Sequence, residues 1–242
     1  MAIYHLAAKI IGRRKGQSAV HKAAYNARMR LYDARGGKKT KNYKNEGPLL
    51  FERIFAPAQA PEWVMDREKL WNKVEELEQR KDARLAREID IALPYELTAE
   101  QREQLLEQFV LKAFVAQGMI ADVVIHAATK RGDPRNCHAH ILLPTREITA
   151  EGFAEKKNRD WNKVEMLQQW RVLWGDTCNF HLERAGHSVR INHGSHKELG
   201  IGRVPTKHVG PQIMRMESKG IRTRRGDYLR ANQSNPGNLK SK

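Results

Sequence analysis

Two short apolar runs, ADVVIH at 121–126 and HAHILLP at 138–144, flank a polar segment containing Gly132 and Pro134. No other feature restricts the fold as much. Apolar runs of this length between breakers suit strands better than helices. Successive strand side chains face opposite sides, so His138 and His140 share a face with Ala139 behind them. Pairing with the strand that ends in His126 brings a third imidazole alongside. Three neutral imidazoles with an open side make a catalytic kind of metal site, since a structural one would be closed by a fourth ligand.

The flanking sequence supplies the other layers. Residues 2–9 read as a strand, followed by a basic turn from Gly12 to Gly16. Ser18 then caps a helix through about Tyr32, ahead of a Gly- and Lys-rich loop at 35–47. Pro57 and Pro61 precede a helix over roughly 62–84. ARLAREIDIALP alternates and predicts a strand at 87–93, with Glu88 and Asp90 on one face and Ile89 and Ile91 on the other. Thr98 with Gln101 forms a capping box for a helix to about 117. Asp160 opens a further helix, with Trp170 and Trp174 facing a core and Gly186 placed to end it. A last strand is expected at 188–193. The fold class is α+β, a central antiparallel sheet carrying the histidines with helices packed on its faces. One domain is expected over 1–227, then a polar, breaker-rich and disordered tail over 228–242.

Composition narrows the function. The chain has 242 residues, 40% of them hydrophobic and 30% charged, a globular balance. No apolar run approaches the roughly 20 residues that a membrane span needs. In MAIYHLAAKIIGRRKG the charges follow the apolar stretch, the reverse of a secretion signal, so a cytoplasmic location is expected. Cys137 and Cys178 make no disulfide framework and are too few for a zinc finger. Net charge is +16, and it is localised. Residues 9–44 carry twelve Lys or Arg against Asp33, and residues 200–242 carry ten against Glu217 and Asp227. Everything else sums to −3, so the basic surface reads as a footprint for phosphate backbones. Arg13, Arg14, Lys15, Lys22, Arg28, Lys38 and Lys39 are its candidate DNA contacts.

Tyr25 sits in the first helix, off the apolar stripe and one turn from His21 and Arg28. A tyrosine is a weak nucleophile near neutral pH unless nearby positive charge stabilises its phenolate. On its own, a helical tyrosine is ordinary packing.

Four blocks resemble the MobA/MobL family of plasmid-mobilisation relaxases, among the HUH endonucleases. They are MAIYHLAAKIIGRRKGQSAVHKAAYNAR, LAREIDIALPYEL, IHAATKRGDPRNCHAHILLPTRE and LERAGHSVRINHGSH, and the likeness runs from residue 1 to about 225. The HUH element is His138-Ala139-His140. The resemblance implies an enzyme that nicks one strand at a plasmid's origin of transfer and can religate it. Tyr25 matches the nucleophile, which forms a 5′-phosphotyrosyl bond and frees a 3′-OH. His126, His138 and His140 match the metal triad, with Mg²⁺ or Mn²⁺ implied by the family. Glu88 matches the family's acidic position, with Asp90 second, as a carboxylate fixing a ligand's tautomer. Asp122 is a weaker candidate, and nothing physical makes His5 a ligand. Implied partners are single-stranded origin-of-transfer DNA, accessory relaxosome proteins and a type IV secretion coupling protein. Export to a recipient cell bound to DNA is implied as well. The alternatives are a rolling-circle replication initiator with the same chemistry and a non-catalytic basic DNA-binding protein.

Overall fold

The computed structural model describes residues 4–43, 47–127, 135–194, 200 and 209–233. The chain divides into two units, residues 1–193 and 194–242. In the first, five strands form one sheet: β1 (Leu6–Gly12), β4 (Leu49–Phe55), β5 (Arg84–Ala92), β6 (Ala121–His126) and β7 (His138–Pro144). Their order is β1-β5-β7-β6-β4, and every neighbouring pair is antiparallel. Two small ribbons accompany it, β2 (Tyr32–Asp33) with β3 (Lys38–Lys39) and β8 (Ile148–Thr149) with β9 (Gly152–Phe153). The helices are α1 (Ala19–Asn26), α2 (Arg67–Leu77), α3 (Ala99–Ala113) and α4 (Val164–Arg184). This is the α+β architecture expected.

Strand alternation sorts the side chains into two cores. Ile89, Ile91, Ala139, Ile141 and Leu143 pack against the α3 and α4 side chains Phe109, Val110, Trp170 and Trp174. Phe109 meets Trp174 edge-on at 5.0 Å between ring centroids, so the tryptophans of α4 are core. On the other face Leu142 and Ala86 join Val20, Ala23 and Ala24 of α1 and Leu70 and Trp71 of α2. The two central strands therefore present Glu88, Asp90, His138 and His140 on the α1 side.

Several boundaries move for identifiable reasons. The first strand lies at Leu6–Gly12 instead of 2–9, and the third long one starts at Arg84. The helix expected over 62–84 is a 3-10 turn, Glu62–Met65, then α2, which Asp66 caps by accepting from Lys69 N–H at 3.1 Å. The Thr98–Gln101 capping box forms, and α3 gives way to the 3-10 turn Val115–Gln117. Asp160 sits in a 3-10 turn, α4 starts at Val164, and Gly186 ends it with φ +79°. Residues 188–193 form no strand.

The helix expected through Tyr32 stops at Asn26. Met29 N–H reaches back to Ala24 O at 3.1 Å and Arg28 N–H to Tyr25 O at 3.3 Å, the paired bonds of a Schellman turn. Arg28 takes the left-handed position of that turn, with φ +53°. For a residue with a Cβ this conformation costs on the order of 1 kcal/mol.

In the second unit α5 (Pro211–Ser218) and α6 (Arg224–Gln233) pack together. Glu217 pairs with Arg230 and accepts from Thr223 N–H at 2.6 Å. The expected boundary at 227/228 does not appear, because α6 runs through it to Gln233; residues 234–242 lie outside the described residues.

A histidine cluster beside the tyrosine helix

Register assembles the histidines. His126 pairs with His138 across β6 and β7, and His140 lies two residues further along β7 on the same face. Their ring centroids stand 4.9–5.5 Å apart. One nitrogen from each falls within 4.8 Å of the others, the arrangement a metal ion needs. Each ring also has one nitrogen already engaged. His126 Nε2 donates to Asn26 O at 2.6 Å, and His138 Nδ1 to Asn136 O at 3.1 Å. His140 Nδ1 lies 2.7 Å from Asp90 Oδ1 and 3.0 Å from Glu88 Oε1. Neither approach is aligned as a hydrogen bond, so this is a charge contact. With a proton on each engaged nitrogen, the other keeps its lone pair for a ligand.

Burial is the largest influence on all three rings and disfavours their charged forms. It pushes His126 down to about 4 and lowers His138. For His140 the carboxylates of Asp90 and Glu88 outweigh burial, and the ring sits above its ordinary value. Burial would raise both carboxyls, but His140 outweighs it, helped by Lys22 at Glu88 and Lys9 at Asp90, and holds both low.

The acids differ in what they hold. Glu88, 2% exposed, takes Lys22 Nζ at 2.7 Å and Asn26 Nδ2 at 3.4 Å, both from α1. Asp90 takes Lys9 Nζ at 2.6 Å from the neighbouring strand. Glu88 therefore ties the tyrosine helix to the histidine strand, whereas Asp90 touches only the sheet. Asp122 faces elsewhere: its oxygens bind Arg67 Nε at 3.0 Å and Trp71 Nε1 at 2.8 Å, anchoring α2.

Tyr25 occupies the last turn of α1, one residue before the Asn26 carbonyl that meets His126. Cations flank its ring, with Arg28 Cζ at 4.7 Å and Lys22 Nζ at 5.2 Å from the centroid. Tyr43 meets it edge-on at 5.4 Å. Beside it opens a cleft of about 370 Å³, lined by Ile11, Gln17, Ser18, His21, Lys22 and Tyr43. The N-terminus of α1 is held too. Ser18 Oγ accepts from His21 N–H, and Glu75 accepts from Ala19 N–H at 2.7 Å.

Of the basic candidates, Arg14, Lys15, Lys38 and Lys39 are exposed. Arg13 is not available as a surface contact: its guanidinium binds Glu75 Oε2 and Glu78 O, each at 2.7 Å. Lys22 and Arg28 belong to the tyrosine's surroundings. His5 contributes its backbone carbonyl to Ala92 N–H. His196 and His208 lie outside the described residues. Sequence reasoning missed Lys9, Tyr43 and Asn26. The first two become neighbours only through strand pairing and loop path, and Asn26 acts partly through a carbonyl that every residue carries. Among the described residues no helix is long and apolar enough to cross a membrane.

The fold recurs in solved structures. One described as "Conjugative relaxase TrwC in complex with oriT DNA, metal-bound structure" shares 11% identity at TM-score 0.53, over 94% of this chain and 95% of that one. At that identity the likeness is one of fold, and the fold is that of a relaxase. One described as "Molecular Basis of Vancomycin Resistance Transfer in Staphylococcus aureus" is 34% identical at TM-score 0.73, covering 80% of this chain and 100% of that one. Residues 17–219 match the model of the MobA/MobL family, and the chain belongs to that family. Mobilization protein MobL of Acidithiobacillus ferridurans is 37% identical over 95% of this chain and 66% of its own length. The probable conjugal transfer protein TraA of Sinorhizobium fredii is 35% identical over 90% of this chain and 22% of its own. The chain thus spans less than two thirds of either relative.

Proposed function

We propose that this protein is a mobilisation relaxase that nicks single-stranded DNA at a plasmid's origin of transfer, with Tyr25 as nucleophile. One observation carries the reading: Asn26, next to Tyr25, is bonded through its carbonyl to His126 of the histidine cluster. A nucleophile and a candidate cation site are thereby held side by side.

Tyr25 Oη would attack the phosphorus and form an O–P bond while the P–O3′ bond breaks. The phenol proton is released and the departing O3′ takes one up, leaving a free hydroxyl. Because one phosphoester replaces another, the reverse reaction rejoins the strand. The donor set fits a divalent cation, since each imidazole has one nitrogen engaged and the other uncommitted. His126, His138 and His140 would hold it, and bound there it would polarise the scissile phosphate and offset developing negative charge. Mg²⁺ and Mn²⁺ are the ions the family resemblance implies. Glu88 orients His140 and, through Lys22 and Asn26, positions the tyrosine helix; Asp90 shares the first task. Lys22 and Arg28 place positive charge against the Tyr25 ring. The exposed Arg14, Lys15, Lys38 and Lys39 would follow the DNA backbone. Accessory relaxosome proteins and a secretion coupling protein belong to the same reading.

The test is a covalent adduct. The protein is incubated with single-stranded oligonucleotides of its transfer origin and Mg²⁺ or Mn²⁺, then resolved under denaturing conditions. Wild type should form the adduct, and Tyr25→Phe should form none. Chelation should stop cleavage but leave salt-sensitive DNA binding. Absence of an adduct with every metal would overturn the enzyme reading, and an adduct from Tyr25→Phe would overturn the nucleophile.

A further inference from the structure

A left-handed residue closing a helix is ordinarily glycine, because a Cβ crowds the backbone there. At the end of α1 that residue is Arg28, the only non-glycine with positive φ among the described residues. A side chain kept where the backbone disfavours it points to a use. Two contacts fix its guanidinium on the tyrosine itself: Cζ over the ring at 4.7 Å, and Nη1 donating to Tyr25 O at 3.0 Å. Arg28 Nε is buried and has no hydrogen-bond partner. An orphaned donor of this kind is costly in a finished structure and calls for an acceptor.

We propose that Arg28 is a substrate-binding residue of the cleavage site, whose guanidinium holds a non-bridging oxygen of the phosphodiester that Tyr25 attacks. The inference rests on the reading of Tyr25 as nucleophile. A guanidinium suits the task because its planar fork matches phosphate oxygens and it remains charged throughout. Arg28 exchanges no proton with the substrate. It neutralises charge on the phosphoryl oxygens while the O–P bond to Tyr25 forms and the P–O3′ bond breaks. Stacking on the ring sets the tyrosine and the phosphate in one frame, so that binding the phosphate also orients the nucleophile.

The experiment pairs Arg28→Lys and Arg28→Gly with a change at the phosphate. Cleavage is timed on an oligonucleotide that the wild-type protein cuts, carrying either the native scissile phosphodiester or each methylphosphonate diastereomer, in which one oxygen and the charge are gone. On the native strand both variants should slow by about a hundredfold. On one methylphosphonate diastereomer, wild type and variants should cut within about twofold of one another, because the contact is already missing. Glycine accepts the left-handed turn, so Arg28→Gly should retain a cooperative thermal transition; should it unfold instead, the lysine variant carries the comparison. Equal slowing on native and modified strands would mean a structural role and overturn the assignment, as would variants that cut the native strand at the wild-type rate. If the wild-type protein cuts no strand, the relaxase reading itself fails and this role falls with it.

Discussion

Glu88→Gln separates the two carboxylates, because the charge at 88 serves two elements at once. The substitution keeps the size of the side chain and removes the charge that Lys22 and His140 face at 2.7 and 3.0 Å. A hydrogen bond to a charged group contributes about 1.5–3 kcal/mol, and glutamine can still accept a weaker one from Lys22 while its charge contact with His140 is lost. Lys22, 22% exposed at its side chain, regains part of its hydration. The expected loss is therefore about 2 kcal/mol, or roughly 4–8 °C in Tm for a unit of this size. Asp90→Asn is the control. Its lysine partner, Lys9, is 57% exposed at the side chain, and such surface pairs contribute at most about 1 kcal/mol. Thermal unfolding in chelator, where no metal stabilises the folded state, should rank Glu88→Gln below Asp90→Asn. Calorimetric titration with Mn²⁺ should then show both variants weakened about 10–100-fold, since both acids contact His140. Equal Tm losses, or an unchanged Tm for Glu88→Gln, would refute the idea that Glu88 ties α1 to the sheet.

Asp122→Ala leaves a nearly buried Arg67 guanidinium paired with Glu52 but without its bidentate partner, and strands the Trp71 indole N–H; it should lose about 2–3 kcal/mol in urea unfolding. Replacing Arg67 by Met in the same chain should recover much of that loss; no recovery would mean the ion pair is not its source. His126, held by burial near 4 against an ordinary 6.5, binds its proton less readily folded than unfolded. Its neutral form therefore contributes stability above pH 6.5 that is lost as pH falls toward 4. NMR of the metal-free protein should find His126 titrating far below His140, and the opposite order would contradict the burial argument. Mn²⁺ at about a hundred times its Kd should raise Tm by roughly 5–10 °C. A rise that persists in His138→Ala/His140→Ala would put the ion elsewhere.

The parts of the fold written in periodicity were legible. Alternation in ARLAREIDIALP and around His138-Ala139-His140 sorted residues onto the correct faces, and the Thr98–Gln101 box and Gly186 marked helix ends that exist. β4 was not legible. Its LLFERIF breaks alternation at a register shift between Leu49 and Phe51, and an edge strand has one face of pairing to constrain it. The end of α1 was hidden for a different reason: the residue in the turn's left-handed position is arginine, where sequence rules look for glycine. At the site, residue types announced the histidines and the tyrosine. The division of labour between Glu88 and Asp90 depended on which lysine each one meets, and that follows from tertiary pairing.

The eight residues of α1 are too few to stay helical in isolation, so its shape is borrowed from partners later in the chain. Glu75 fastens one end, while Glu88 and His126 fasten the other. On a ribosome the tyrosine emerges first and its fastenings more than a hundred residues of synthesis later, once His126 has been added. A nascent chain thus carries Tyr25 with none of its surroundings yet made. If Tyr25 is the nucleophile proposed above, its arming waits until the sheet closes, and a product truncated before His126 should form no covalent adduct.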